Sequence, residues 1–551
     1  MASSTEWSTD DGDDELDAGN AGNDWRTSPL ELKLPKKFDE WRAGQVELLQ
    51  RVLESDRRFI IVEAPTGAGK SLMAAAWQKL TKKRTLYMCT TKQLQDQVQH
   101  DFQYAKVLKG RANYPTRNYP NITCDQCQIT MEDNHCPYCV VEKRDDGVWI
   151  HDCPYVGAKN ALLKASFGVV NTALFMTEAN FVGRLSGFEQ VVLDEADGIE
   201  AQLMGFAELT VSKRVIGLLG LEPPQFLTKE ESWGPWAAAT VQHIDRIKRS
   251  LTKYTQAEQK SIENVYRKVS YFLATLREGN VHWVNCTTKQ EHRQGPWTWK
   301  PVKVDTQAHK LLWDHGKRWL LLSATVLSPE QFCRDLGIDR SDADFIRLPS
   351  TFPIENRPVH YYPVAEMKYD NREEAVPVIV AAIDAILARH PEEKIVIHAV
   401  SYWLLDQIIQ RSAHGRRLMY FKSAMGREKV IQRFRRAGSD AVLVAPGLER
   451  GLDLPYDECR VVVIPKLPYP SLADKQVNAR LHAYRDGNDW YTLQTARALV
   501  QASGRGVRAD DDTCTIYLLD RQFSQFVRRA RRFLPSWWYD AVQSHSAAEL
   551  V

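Results

Sequence analysis

No stretch of this chain of 551 residues approaches the ~20 consecutive apolar residues that a membrane-spanning helix needs. The N-terminus lacks the basic, apolar, cleavable pattern of a secretory signal, and the segment before residue 31 is expected to be too short for an exonuclease domain. Cysteine is scarce and uneven. Of ten cysteines, Cys124, Cys127, Cys136, Cys139 and Cys153 crowd into one segment, which is no secreted disulfide framework and suits thiolate chemistry in a reducing cytoplasm. Net charge is almost absent at +2, but unevenly spread: residues 1–30 hold eight acids against one arginine and read as a disordered acidic tail that aids solubility, with mimicry of a polyanion as the alternative. That tail leaves a basic body, as expected of a chain that handles a polyanion.

What is present begins with the apolar run Phe59-Ile60-Ile61-Val62, which leads into Glu63-Ala64-Pro65-Thr66-Gly67-Ala68-Gly69-Lys70-Ser71 and then a helix. Strand, glycine-rich loop and helix together make a triphosphate cradle. Thr66, Gly67 and Gly69 offer backbone N–H groups, Lys70 neutralises β/γ charge, and Ser71 ligates Mg²⁺. A second short strand, Val191-Val192-Leu193, ends in Asp194-Glu195-Ala196-Asp197. There Asp194 is expected to hold Mg²⁺ and Glu195 to orient and deprotonate the attacking water. Further along come Ser323-Ala324-Thr325 and Gln501-Ala502-Ser503-Gly504-Arg505-Gly506-Val507-Arg508. Arg505 and Arg508, three apart on one helix face, are spaced to act as fingers on the γ-phosphate.

Apolar runs at 59–64, 85–90, 167–171, 190–194 and 319–323, then at 394–400, 440–445, 460–465 and 515–519, alternate with helical patterns. The expectation is an α/β protein with two doubly wound parallel-sheet domains and ATP in the cleft between them. Two insertions interrupt the first domain. One holds the cysteines; the other carries two helical stripes, Val241/Ile244/Ile247/Leu251/Tyr254 and Ile262/Val265/Tyr266/Val269/Phe272/Leu273/Leu276, read as an antiparallel hairpin. His282–Val284 and Pro296–Lys300 alternate like a β-hairpin, and their tryptophans are read as core, with stacking on unpaired bases as the alternative.

From about residue 31 to 535 the chain resembles the superfamily 2 helicases of the XPD/DinG type, the iron–sulfur helicases. Beside the ATPase motifs, the specific pieces are Lys109-Gly110-Arg111-Ala112-Asn113-Tyr114, Cys153-Pro154-Tyr155, Val169-Val170-Asn171-Thr172, Pro349 to Arg357, and Lys466-Leu467-Pro468-Tyr469-Pro470. The resemblance implies two RecA-like motor domains, 31–345 and 346–551, the first containing a cysteine-rich insertion (111–160) and a mainly helical arch (205–315). It implies adenine contact by Arg42 and Gln45, Gln501 and Asp453 near the γ-phosphate, and Thr90, Thr91 and Gln93 against the DNA backbone, with Ser323 and Thr325 coupling that contact to hydrolysis.

The chain departs from the family pattern at three places. Asp197 stands where the family often has His, Arg450 interrupts the Glu-Gly-x-Asp run that Glu449, Gly451 and Asp453 would otherwise form, and Thr116 stands where a cysteine commonly closes the approach to the cluster domain. Two ligand sets therefore stay open. Cys124, Cys127, Cys136 and Cys139 alone would make a four-thiolate zinc site with Cys153 idle. The resemblance instead implies a [4Fe–4S] cluster on Cys136, Cys139, Cys153 and one of Cys124 or Cys127.

Basic clusters at Arg411/Arg416/Arg417, Arg427/Lys429/Arg433/Arg435/Arg436 and Arg528/Arg529/Arg531/Arg532 either line a strand path or form solvated faces. The function expected from the resemblance is an ATP-dependent DNA helicase, cytoplasmic and nucleoid-associated, monomeric. It would move 5′ to 3′ on single-stranded DNA and open forked duplex. The alternatives are a nucleic-acid-stimulated ATPase that remodels protein–nucleic acid or RNA complexes without processive unwinding, and a binding module with a degenerate motor.

Overall fold

The computed structural model describes residues 28–550 apart from 128–137, 144–148, 184, 186–187, 248–252, 289, 351, 424–425, 449–453, 505 and 508–510. Residues 1–27, most of the acidic tail, lie outside the described residues, as do Cys136, Glu449, Arg450, Gly451, Asp453, Arg505 and Arg508.

Two seven-stranded parallel sheets form the frame. Lobe 1 contains β1 (Phe59–Glu63), β2 (Thr85–Cys89), β3 (Lys106–Leu108), β6 (Phe167–Asn171), β7 (Phe188–Asp194), β11 (Gly316–Ser323) and β12 (Ala343–Arg347), in spatial order β12-β1-β11-β7-β2-β6-β3. A strand buried on both faces is apolar over most of its length, and β1 shows why: Phe59 and Ile61 enter one core, Ile60 and Val62 the other, before the strand ends at Glu63. Lobe 2 contains β13 (Val359–Ala365), β14 (Ile395–His398), β15 (Leu418–Tyr420), β16 (Val442–Ala445), β17 (Val461–Ile464), β18 (Thr515–Asp520) and β19 (Val542–Ser544), in order β15-β16-β14-β17-β18-β13-β19.

Both insertions leave lobe 1. The cysteine segment carries the antiparallel pair β4 (Val140–Lys143) and β5 (Trp149–His151). In the second, helices Glu230–Ile247 and Gln256–Glu278 pack through Trp233, Ala237, Ile244, Ile262, Val269 and Phe272. The longer helix starts at a Thr255/Glu258 capping box, which satisfies its first N–H groups. Beneath lies a three-stranded sheet of β8 (Leu209–Val211), β9 (Trp283–Asn285) and β10 (Trp297–Pro301), ordered β8-β10-β9. Its Trp283, Trp297 and Trp299 are 2–4% exposed, so they pack the core of this insertion and offer no stacking surface. Lys260 of the longer helix touches Asp125 in the cysteine segment, so the two insertions meet. No helix among the described residues is long and apolar enough to cross a membrane.

Candidate active site

Strand register brings the motifs together. Glu63 at the end of β1 is level with Ser323 of β11, and Leu322 is level with Asp194 of β7. Three segments far apart in sequence therefore deliver polar ends to one edge of the sheet, where ligands of doubly wound folds bind. Gly67 and Gly69 adopt φ of +83° and +79°, open to glycine at little cost. A Cβ on Gly69 would stand 2.4 Å from Gln45 Nε2. Gln45 is buried and ties the loop down. Its Nε2 donates to Ala68 O (2.8 Å), its Oε1 accepts from Arg42 N (3.0 Å), and Arg42 Nη1 donates to Gly67 O (2.9 Å). Lys70 Nζ donates to Ala64 O and Pro65 O (3.1 and 3.2 Å), and Thr66 sits half-buried in the same loop.

Ser71 and Asp194 are joined by a residue that motif reading overlooked. Tyr87 OH lies 3.2 Å from Ser71 Oγ and donates to Asp194 Oδ2 (2.6 Å). Burial, and then the Asp194 charge, push the phenol well above its ordinary range, so it stays a donor. The visible clue is a tyrosine in the middle of the fully buried β2, between Leu86 and Met88. Asp194 Oδ1 accepts from Glu195 N (3.0 Å). Glu195 itself has φ of +55° and is exposed between buried neighbours. A non-glycine residue held left-handed costs about 1–3 kcal/mol and is characteristic of functional turns. Here it turns the carboxylate out into the cleft.

Asp197, in the position of the family's usual His, is buried and doubly engaged. Ser323 Oγ donates to its Oδ1 (2.6 Å), and Gln501 Nε2 from lobe 2 donates to its Oδ2 (2.7 Å) and to Thr325 Oγ1 (2.7 Å). Arg497, one turn earlier on the same helix (Gly487–Ser503), donates to Thr325 O (3.0 Å) and Val326 O (3.3 Å). Glu63 was also missed. Its buried carboxylate accepts from Leu327 N (2.5 Å) and Arg347 Nε (2.9 Å), which fixes the chain just after Thr325. Burial raises its pKa, while Arg347 opposes the shift.

In the cysteine segment, the sulfurs of Cys124, Cys139 and Cys153 all lie within 4.8 Å of one another, with Cys124 and Cys153 3.8 Å apart. Three converging thiols fit a soft, thiolate-bound metal or cluster. Cys153, idle in the zinc arrangement, belongs to the triad. Cys127 does not: its Sγ donates to Cys124 O (3.2 Å). Thr116 is buried, and its hydroxyl donates to Tyr119 O (2.8 Å). Thr91 caps the helix Lys92–Asp101 through Leu94 N.

The family model for the helicase C-terminal domain matches residues 383–541, and that for the type III restriction enzyme res subunit matches 38–142. The chain is 23% identical to the ATP-dependent DNA helicase DinG of Photobacterium profundum over 40% of its own length, an alignment spanning about a third (34%) of DinG. It is 21% identical to a probable ATP-dependent helicase of Methanocaldococcus jannaschii, covering 90% of this chain and 94% of that one. Identity to the Escherichia coli ATP-dependent DNA helicase YoaA is also 21%, over 84% and 88% of the two chains. A solved XPD helicase shares the fold with a TM-score of 0.61 at 16% identity, over 91% of this chain and 98% of that structure. The chain is thus similar to helicases of the XPD/DinG type and shares the fold of a solved XPD helicase.

The two lobes are joined on the lobe 2 side by residues 474–501. Arg480, 1% exposed, donates through Nη2 to Asp335 Oδ1 of lobe 1 (2.9 Å) and through both Nη atoms to Asp486 (2.8 Å each). Gln331 Nε2 bridges the same two carboxylates (2.8 and 2.9 Å). Glu200, buried beside this cluster, has its carboxyl pushed up to about 8, first by burial and then by Asp335, against the pull of Arg480. Arg480 holds Asp486 well below the ordinary carboxylate range, chiefly by direct hydrogen bonding.

Proposed function

We propose that this helicase couples ATP hydrolysis to 5′ to 3′ movement along single-stranded DNA and opens forked duplex as a monomer. The observation carrying the proposal is the Ser323–Asp197–Gln501–Thr325 contact, through which the hydrolytic segment of lobe 1 touches lobe 2 directly. A change at the phosphates then reaches the second lobe through a short polar chain. In this reading Arg42 and Gln45 meet the adenine side, while Thr66, Gly67, Gly69, Lys70 and Ser71 hold the phosphates. Asp194 and Ser71 hold Mg²⁺, and Glu195 activates water. Arg505, Arg508, Gln501 and Asp453 serve the γ-phosphate from lobe 2 (346–551) against lobe 1 (31–345).

The cysteine insertion is read as the holder of a [4Fe–4S] cluster, supported by the triad Cys124, Cys139 and Cys153, with Cys127 or Cys136 as the fourth ligand; zinc is the alternative metal. A bound cluster supplies a cross-link for a small segment with little core of its own. The chain's contribution is to bring β4, β5 and the Cys153 turn together beside the arch as a wedge.

Strand displacement tests the proposal. ATP-dependent opening of a 5′-tailed duplex is expected, none with a 3′ tail, and none with Glu195→Gln. Failure on the 5′ tail with the metal site filled would sink it, whereas hydrolysis without displacement would favour a remodelling ATPase.

A further inference from the structure

Lobe 2 carries a basic groove on the edge of its sheet, outside the segment that meets lobe 1. The sheet ends at β15, and the helix Arg427–Arg436 lies over that open edge. The helix buries Ile431 and Phe434 in the core. That orientation leaves Lys429, Arg433 and Arg436, spaced about one turn apart, along its flank. Arg416 and Arg417 close the other side, giving a groove of about 670 Å³ floored by Leu418, Met419, Ala437 and Ala441. Five cations face two carboxylates, Glu428 and Asp440. Arg417 is spent on the fold, donating to the carbonyls of Leu387, His390 and Asp440. Among the described residues Arg416, Lys429, Arg433 and Arg436 have no carboxylate partner. The apolar floor carries their aliphatic stems and gathers the charged heads along one line.

We propose that this groove is a second nucleic-acid site, binding the phosphodiester backbone of substrate that extends beyond the strand between the lobes. The proposal rests on the reading of the chain as a nucleic-acid motor. Phosphates fit because guanidinium groups pair with them bidentately and because four cations sit there without internal partners. Lobe 2 reaches lobe 1 through residues 474–501, whereas the groove is built from 416–441, so its ligand does not compete with the cleft.

The test uses the full chain and the double variant Arg433→Glu/Arg436→Glu, with Arg433→Ala/Arg436→Ala as a milder pair. Binding of a labelled 5′-tailed duplex and of a short single strand is followed by anisotropy across a salt series, alongside ATPase stimulation by the short strand. The expected result is roughly tenfold weaker binding of the tailed duplex, a salt slope shallower by about 2, and stimulation by the short strand within about twofold of wild type. Unchanged affinity and slope for the tailed duplex would overturn the proposal. So would restoration of the wild-type difference by deleting residues 1–30, which would make an acidic protein segment the occupant. Absence of any stimulation in the wild type would instead count against the motor reading.

Discussion

Gln501 of lobe 2 donates its side-chain amide to Asp197 of lobe 1 across 2.7 Å and to Thr325 at the same distance. One amide group thus senses both the acidic turn after β7 and the Ser-Ala-Thr turn after β11. Hydrogen bonds to a charged acceptor contribute about 1.5–3 kcal/mol. If this contact carries the coupling, Asp197→Asn or Gln501→Ala lowers kcat for nucleic-acid-stimulated hydrolysis roughly tenfold to a hundredfold, with KM for ATP nearly unchanged. The double variant should lose little more than either single one. Additive losses in steady-state assays would show that the two residues act separately.

Tyr87 predicts a metal phenotype. Tyr87→Phe keeps the ring packed but removes the hydroxyl between Ser71 and Asp194. One neutral hydrogen bond is worth ~1 kcal/mol, so half-maximal hydrolysis should need about fivefold more free Mg²⁺ while the rate at saturation stays close to wild type. Initial rates against free Mg²⁺ decide this, and an unchanged titration would remove Tyr87 from the metal site.

Glu200 predicts a pH dependence of stability. Its carboxyl is pushed from an ordinary 4.5 up to about 8 in the folded protein, mainly by burial. Folding therefore takes up a proton between those values. The contribution is fully present below 4.5 and is lost as pH rises through about 8. Glu200→Gln keeps the neutral shape and removes the titration. Its melting temperature relative to wild type should climb from about pH 5 to about pH 8.5, and a flat difference across that range would contradict the assignment.

The cysteine triad predicts which thiols are indispensable. Each of Cys124→Ser, Cys139→Ser and Cys153→Ser should strip the bound metal, read as loss of iron, acid-labile sulfide and visible absorbance from anaerobically purified protein. Zinc without sulfide in the wild type would replace the cluster. Full metal retention after Cys153→Ser would return that residue to the idle role.

Much of the frame was legible because strands buried on both faces have little choice of residue: Ile60, Ile61 and Val62 or Val191, Val192 and Leu193 can hardly be anything else. The edges were not. β15 is three residues with Tyr420 exposed, β12 mixes Asp344 and Arg347 with apolar residues, and β13, one strand in from the edge strand β19, contains Pro363, so none shows a clean alternation. The phosphate loop and acidic turn could be read locally, because each is one short segment. The partners of Asp197, Glu63 and Tyr87 could not, since Gln501, Arg347 and Asp194 reach them only through strand order and the docking of two lobes. The cysteines were visible as a group, but the separation of Cys127 from Cys124, Cys139 and Cys153 depends on the path of the chain between them.

The concentration of interlobe bonds in residues 474–501 has a mechanical side. That segment leaves the sheet after β17, while β15 lies three strands away, or ~14 Å at the usual strand spacing. A rotation of lobe 2 pivoting there swings its outer margin by ~0.2 Å per degree and leaves the pivot almost still. If ATP turnover turns lobe 2 about that contact, small adjustments around the phosphates would be geared up toward the rim, and the arginine-lined groove would travel farther than any part of the contact that drives it.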